Sequence, residues 1–440
     1  MRRPIGFGSR PGAEAAAGFD RRVVAVLREP GMAAWLLACA GSIVMYLFVR
    51  HLSHPSMVDL VVYRAEGLAV RDGIDLYGPL NTPHGLGATY PPFAAMLFVP
   101  LTYLPKGVLL GLGVATNLAL VALVVWLSMR LVDPARRLSP VLVPAGTTLA
   151  IWFEPVFTTM RFGQVNLAVL AVVLWDFTRP PGARWRGAGL GIVAGIKVTP
   201  AVFIVYLLLT GRRREAVTAI GAAAATVALS AAVLPDATRR FWTRLVFDPS
   251  RVGRLENAAN QSMRGLLTRL TRTLDPGVGG TLVVIVVAVL GMACAVVAYR
   301  RQGDAWGLPA SAVAGLLISP ISWTHHWVWC VPIALLLWTT VRGAHSRAQT
   351  LLFAGLLVFP SFVVWSVPHL PGQEWHMTHF EQLRSACYVA FGLAFLAVAA
   401  RPGRVRAGPA DVPDPGRGPL GAGPLAARGS RSYRPPVPRA

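Results

Sequence analysis

One carboxylate, Asp59, stands just beyond the first long apolar stretch of the chain, in the segment from Ser56 to Pro105 that opens SMVDLVVYRAEGLAV. The apolar stretch runs from Met32 to Val49, so Asp59 follows a membrane exit within about three helical turns. A carboxylate within hydrogen-bond reach of a hydroxyl can take its proton as a general base. The plainer reading pairs Asp59 with Arg64 at the interface. Tyr63, Arg64, Glu66, Arg71, Asp72 and Asp75 surround the acid in what reads as an interfacial loop. A second charge, Lys197, sits inside the apolar run GLGIVAGIKVTPAVFIVYLL. Only Lys106 and Lys197 are lysines in a chain that otherwise writes arginine for positive charge. A charge within the membrane is expensive and marks function by default, snorkelling to the interface being the alternative. At a hairpin apex the ammonium would be placed to neutralise a phosphate.

His325 and His326 lie in SPISWTHHW. Neighbouring histidines on a helix point apart, and no carboxylate accompanies them at metal-ligand spacing, so no metal is expected. A hydrogen bond from one of them to a phosphate or sugar oxygen is the better reading, while Trp323, Trp327 and Trp329 fit an interfacial belt. Asn260, Gln261, Ser262 and Arg264 form a compact donor set. Ser262 or Asn260 would also cap a helix from Met263 to Leu274, and a helix start suits an anion as well. Gln164 and Asn166 open a span, either as caps or as ligand contacts, and Arg161 lies where it could pair with Glu154.

These residues need a membrane scaffold to bring them together. Hydrophobic residues make up 54% of the 440 and charged residues 14%, with the apolar residues in long blocks, which gives an all-α polytopic membrane protein. Candidate spans fall at 32–49, 107–129, 138–156, 163–178, 215–235, 281–299, 306–320, 327–341, 348–367 and 384–400. The run Pro91 to Leu104 is short and bracketed by prolines, so it reads as a re-entrant or interfacial helix on the Asp59 side. The run Gly187 to Leu209 is interrupted at Lys197 and reads as a helical hairpin. With both choices the basic loops 130–137, 179–186, 212–214, 300–301 and 342–347 fall on the cytoplasmic side with both termini, giving about 12 membrane segments.

Residues 1–31 form a basic cytoplasmic arm, 32–400 the membrane domain and 401–440 a disordered cytoplasmic tail in this reading. The net charge of +22 follows from the loop arginines, so nucleic acid is not an expected partner. The long loop 235–280 falls outside although it carries many arginines, which suggests attraction to lipid phosphate. Four single cysteines are assigned to packing.

VDLVVY after the first span, TYPPF, GQVN, IKVTP, NQS with a following arginine, and SPISWTHHW resemble, in order and spacing, glycosyltransferase family 87 over roughly Met32 to Ala400. IKVTP departs from the commoner KPTP but keeps the charge. The resemblance implies a type C glycosyltransferase fold and inverting transfer of mannose from polyprenyl-phosphate-mannose to a mannosylated glycolipid or lipoglycan. An α-(1→2) linkage made on the outer face of the cell membrane is the expected product. It implies Asp59 as catalytic base and Lys197 with His325 or His326 on the donor phosphate. Asn260, Gln261, Arg264, Gln164, Asn166 and Tyr63 are further substrate contacts, and neither cofactor nor metal is needed. The alternatives are arabinofuranosyl transfer from a decaprenyl-phosphate donor, a lipid or anion transporter, and a non-catalytic envelope scaffold.

Overall fold

A computed structural model describes residues 26–343 and 345–401. The arm expected over 1–31 lies outside them up to residue 25, and the tail expected over 401–440 from residue 402. Every regular element among the described residues is helical, apart from one isolated antiparallel bridge between Asn260 and Trp323. Four helices are long and apolar enough to cross a membrane: Met32–Ser53, Lys106–Val132, Arg213–Val233 and Gly277–Gln302. Two bent pairs, Glu154–Phe162 with Asn166–Thr178 at 118° and His379–Ser385 with Cys387–Ala399 at 58°, raise the number to six if each is one span. The remaining expected spans are present as shorter helices. Leu142–Ala150, Asp304–Ile318 and Cys330–Val341 have 9, 15 and 12 residues. At 1.5 Å per residue each falls short of a hydrocarbon core of about 30 Å.

The hairpin at Lys197 is real, and the packing of small residues fixes its sense. Gly187, Gly191 and Gly195 of the rising arm lie against Glu215, Ala219 and Thr226 of the Arg213–Val233 helix. The two helices therefore run parallel. For the chain to reach Arg213 again, the Val202–Leu209 arm has to descend, and it does so along the Asp304–Ile318 helix, with Gly315 against Val202 and Tyr206 Oη donating to Asp304 Oδ1 at 2.8 Å. Arg186 and Arg212, at the two feet, both pair with Glu215. Pro200 explains the apex, since it starts the single 3-10 turn Thr199–Ala201 and leaves Lys197 extended (φ −142°, ψ 129°).

The run after Tyr90 also stays at one end. Pro92–Phe98 continues as the 3-10 turn Val99–Tyr103, and the next helix starts at Lys106 beside the acid-bearing helix, where Gly113 meets Leu60 and Met57. Basic loops gather at the opposite end. There Arg186 and Arg212 meet Glu215, Arg212 meets Asp304 at 2.9 Å, Arg301 donates to Ala400 O, and Glu29 accepts from Ser139 Oγ at 3.2 Å.

The 235–280 arginines do more internal work than their expected role suggests. Arg240 pairs with Asp75 at 3.0 Å, Arg254 with Glu374 at 2.9 Å, and Arg272 donates to Met377 O. Arg269, fully buried, donates to the Asn257, Asn260 and Ser385 carbonyls. These four tie the loop to the 56–105 and 366–385 segments.

At Gly191 a Cβ would sit 2.1 Å from the Ala219 carbonyl oxygen, a backbone atom that cannot step aside. Gly191→Ala is therefore expected to cost about 1–3 kcal/mol. Gly221→Ala, on the facing helix with nothing within 4 Å, is the control. Thermal unfolding in detergent checks this, and equal midpoints for the two variants would contradict the parallel packing.

Candidate active site

The helix Val58–Asp72 carries Asp59, Tyr63 and Glu66 at spacings of four and three, on one face. Asp59 lies in its first turn, where the positive end of the helix dipole favours a carboxylate. Gly163, at φ 69°, makes the turn that delivers Gln164 to this face, and its missing Cβ admits Leu60 and Met57. Gln164 Oε1 accepts from Tyr63 Oη at 2.8 Å and from Tyr90 Oη at 3.1 Å. With its oxygen taken, the amide nitrogen faces Asp59 as donor. Burial pushes the Asp59 carboxyl up to about 6, while the Gln164 hydrogen bond and the Lys197 charge pull it down. Phe98 stacks on Tyr63 at 4.5 Å and fixes the phenol.

Lys197 Nζ donates to Asn166 Oδ1 at 2.9 Å and lies 3.2 Å from His326 Nε2. The ammonium also lies 5.5 Å from the centre of the Tyr90 ring. Asn166 Nδ2 donates to His325 O at 2.8 Å, and Thr159 Oγ1 to the same carbonyl at 3.0 Å, so one amide holds both the lysine and the histidine strand. The expectation that His325 and His326 must point apart fails, because Thr324–Trp329 is a 3-10 turn with a kink at Trp327 and not an α-helix. Both rings line the same cavity, edge to face at 5.0 Å, and His325 Nε2 is buried without a partner.

This cavity has a volume of about 690 Å³ and is walled by Asp59, Tyr63, Tyr90, Gln164, Lys197, His325 and His326 on its polar side. Such a volume suits a small-molecule site. Val198, Val202, Gly315, Ile318 and Ile321 form an apolar flank. Arg251, Asp248, Asn257 and Trp323 complete the wall from the 235–280 loop and the histidine strand. Among the described residues no three acids, histidines or cysteines cluster as a metal site.

The NQS residues lie behind the wall. Gln261 N donates to Ser322 O at 2.7 Å and Thr324 N to Ala259 O at 2.9 Å, so this strand grips the histidine strand. Asn260 spends its side chain on Leu255 O, Pro320 O and Ser322 N, and Gln261 on Ala258 O, Ser385 O and Tyr388 N. Ser262 caps Met263–Thr271 by accepting from Gly265 N at 3.0 Å, as the capping reading has it. Arg264 is half-buried and does not line the cavity.

Glu154 does not meet Arg161, which is exposed. Its fully buried carboxylate accepts instead from Thr158, Thr324, Trp365 and Tyr388 at 2.7–2.9 Å. Asp59 likewise does not pair with Arg64, which donates to Thr102 O. Trp327 and Trp329 are core residues, not an interfacial belt. Sequence reasoning did not single out Tyr90 or Arg251. Tyr90 sits before the Pro91–Pro92 pair that starts the following helix, a detectable signal, whereas Arg251 is one of many arginines in its loop.

Membrane-length helices and a cavity lined by an acid, a lysine and paired histidines define an integral membrane protein with acidic and basic side chains in one site. The chain belongs to glycosyltransferase family 87, whose model matches residues 88–320. A polyprenol-phosphate-mannose-dependent alpha-(1-2)-phosphatidylinositol pentamannoside mannosyltransferase of Mycolicibacterium smegmatis is 36% identical over 349 residues, covering 73% of this chain and 80% of that protein. A polyprenol-phosphate-mannose-dependent alpha-(1-2)-phosphatidylinositol mannoside mannosyltransferase of Mycobacterium tuberculosis is 32% identical over 393 residues, covering 83% and 89%. The crystal structure of ArnT from Cupriavidus metallidurans bound to undecaprenyl phosphate aligns over 82% of this chain and 77% of that one, at 14% identity and a TM-score of 0.35.

Glu154→Gln leaves one carbonyl oxygen and an amide donor facing three hydroxyls and an indole N–H. Its expected cost is about 2–4 kcal/mol, since hydrogen bonds to a buried charge are among the stronger ones. Thermal unfolding of the purified variant decides it, and a wild-type midpoint would remove Glu154 as the tie between the histidine strand and its supports.

Proposed function

We propose that this protein transfers mannose from polyprenyl-phosphate-mannose to a mannosylated glycolipid, forming an α-(1→2) bond with inversion at the anomeric carbon. The carrying observation is that Asp59 and Lys197 face one cavity without an ion pair between them. The acceptor hydroxyl oxygen attacks the anomeric carbon, its proton passes to Asp59, and the bond from that carbon to the phosphate oxygen breaks. Polyprenyl phosphate departs carrying both electrons of that bond. Lys197 and a histidine N–H neutralise the leaving oxygen, which stabilises charge where it develops. Gln164, oriented by Tyr63, holds the base, and Asn166 holds Lys197. A phosphate monoester leaving group can be stabilised by these cationic and N–H donors, so the mechanism uses no metal or cofactor.

The prenyl chain runs along the apolar flank of Val202, Gly315 and Ile318. The type C glycosyltransferase fold implied by the family fits this layout. So does an extracytoplasmic site in the cell membrane with both ends of the chain cytoplasmic, because the basic loops gather at the other end of the bundle.

Asp59→Asn is expected to lower transfer by at least a hundredfold while donor binding stays near wild type. The mannose-transfer assay with labelled donor checks this, and an active Asn variant rejects the base assignment. The pH profile follows from the raised carboxyl: the base works only when ionised, so the rate holds above about 6 and falls roughly tenfold per unit as pH drops below it. A flat profile between pH 5 and 7 would contradict this.

A further inference from the structure

Arg251 is the second cation of the cavity wall, and its partners are all neutral. Nη1 donates to Leu245 O at 3.0 Å and Nη2 to Ala88 O at 2.6 Å. The guanidinium lies 5.4 Å from the centre of the Tyr77 ring, and Tyr77 Oη donates to Tyr90 O at 2.8 Å, which links it to the site. Two of the five N–H donors of the guanidinium are engaged. No carboxylate of the described residues lies within 4.0 Å of it. Asp248, itself part of the wall, accepts from Ser250 N at 3.0 Å and does not reach Arg251.

The neighbouring acid is Glu66, buried at 1% exposure. Its carboxyl lies near the Thr89 N–H, which belongs to the same peptide whose carbonyl, Ala88 O, takes Arg251 Nη2. That peptide thus has the acid on its N–H side and the guanidinium on its carbonyl side. Burial pushes the Glu66 carboxyl up to about 8, so at neutral pH it is mostly protonated and does not neutralise the arginine. A guanidinium anchored by carbonyls on an aromatic face, with donors left over beside a cavity, is built to take a planar or tetrahedral oxyanion.

We propose that Arg251 is a lipid-phosphate-binding residue of this cavity, separate from Lys197, anchored by Leu245, Tyr77 and the Ala88–Thr89 peptide. The assignment rests on the mannosyltransferase reading above. The phosphate is either the donor's or the phosphodiester of an anionic glycolipid acceptor.

The full chain in detergent is assayed with polyprenyl-phosphate-mannose and either a phosphatidylinositol mannoside or a neutral alkyl α-mannoside as acceptor. In Arg251→Ala the KM for one phosphate-bearing substrate is expected to rise on the order of tenfold to a hundredfold. A rise in donor KM with both acceptors assigns the donor phosphate. A rise confined to the anionic acceptor assigns its phosphodiester. Unchanged KM for donor and anionic acceptor overturns the proposal, whatever happens to kcat.

Arg251→Lys keeps the charge but cannot span both carbonyls, so it guards against a folding effect. It should recover most of the affinity, and failure to recover any in a protein that melts like wild type also overturns the proposal. Thermal shift by polyprenyl phosphate alone, and by phosphatidylinositol alone, needs no turnover. If wild type transfers no mannose, the mannosyltransferase reading falls. Arg251 is then decided by whether Arg251→Ala loses the shift that wild type shows.

Discussion

An ammonium group at the apex of a membrane hairpin has to find polar partners, and the way Lys197 finds them orders much of this molecule. Its two contacts, Asn166 and His326, come from parts of the chain separated by more than a hundred residues. Asn166 in turn holds the His325 carbonyl, so the lysine, the Asn166–Thr178 helix and the histidine strand are fixed relative to one another by one side-chain amide. A lysine without such partners in low dielectric would be deprotonated or drawn to an interface. The Val193 carbonyl, which accepts the Lys197 N–H, ends the rising arm there, and the negative end of that helix adds to the stabilisation of the charge.

Charge placement follows the same logic on a larger scale. At one end of the bundle arginines meet acids in direct pairs, as in Arg186, Arg212, Glu215 and Asp304. At the other end the cavity cations Lys197 and Arg251 rest on amides, imidazole and carbonyls. Direct ion pairs are closed arrangements, and an added anion would have to displace a carboxylate. Cations held by neutral groups remain attractive to an anion, and the low dielectric of a half-enclosed cavity strengthens that attraction.

Much of this was legible in the sequence because membrane physics leaves strong marks. A lysine within an apolar run, the proline three residues after it, and the alternation of basic loops gave the hairpin and the one-ended arrangement of polar groups. Asp59, Gln164, Lys197 and both histidines do share one cavity, and Asn166 joins them through its hydrogen bonds to Lys197 and the His325 carbonyl. What stayed hidden depends on details of backbone shape. Neighbouring histidines share a cavity only because their turn is 3-10, and residue periodicity does not announce that. Asn260 and Gln261 were legible as important polar residues, yet their amides are spent on backbone groups of other segments, and long-range pairings of that kind leave no local pattern. Glu154 was likewise visible as an acid near the site, but its four neutral donors come from residues as far away as Tyr388. Helix breaks were less legible for a related reason: the run 138–156 is split into Leu142–Ala150 and the start of Glu154–Phe162, whereas 306–320 is met by the unbroken 15-residue helix Asp304–Ile318.

The spacing of the acid and the lysine shows why neither is simply the other's counter-ion. A carboxylate in contact with an ammonium is stabilised as an anion, which lowers its affinity for the proton that a general base must accept. Burial alone would do the opposite and leave the acid protonated at neutral pH. Here Gln164 stands beside Asp59, its oxygen tied by two tyrosines so that its amide N–H2 can act as donor, and Lys197 acts only through space. The carboxyl settles at about 6, ionised at neutral pH yet less than two units away from accepting a proton. The lysine, left unpaired with carboxylate, keeps its charge available to the leaving phosphate. Removing the tyrosine grip on Gln164 would free its amide to flip, and a carbonyl turned toward Asp59 would favour the protonated acid. The two phenols thus act on the base without touching it, through the one amide they orient.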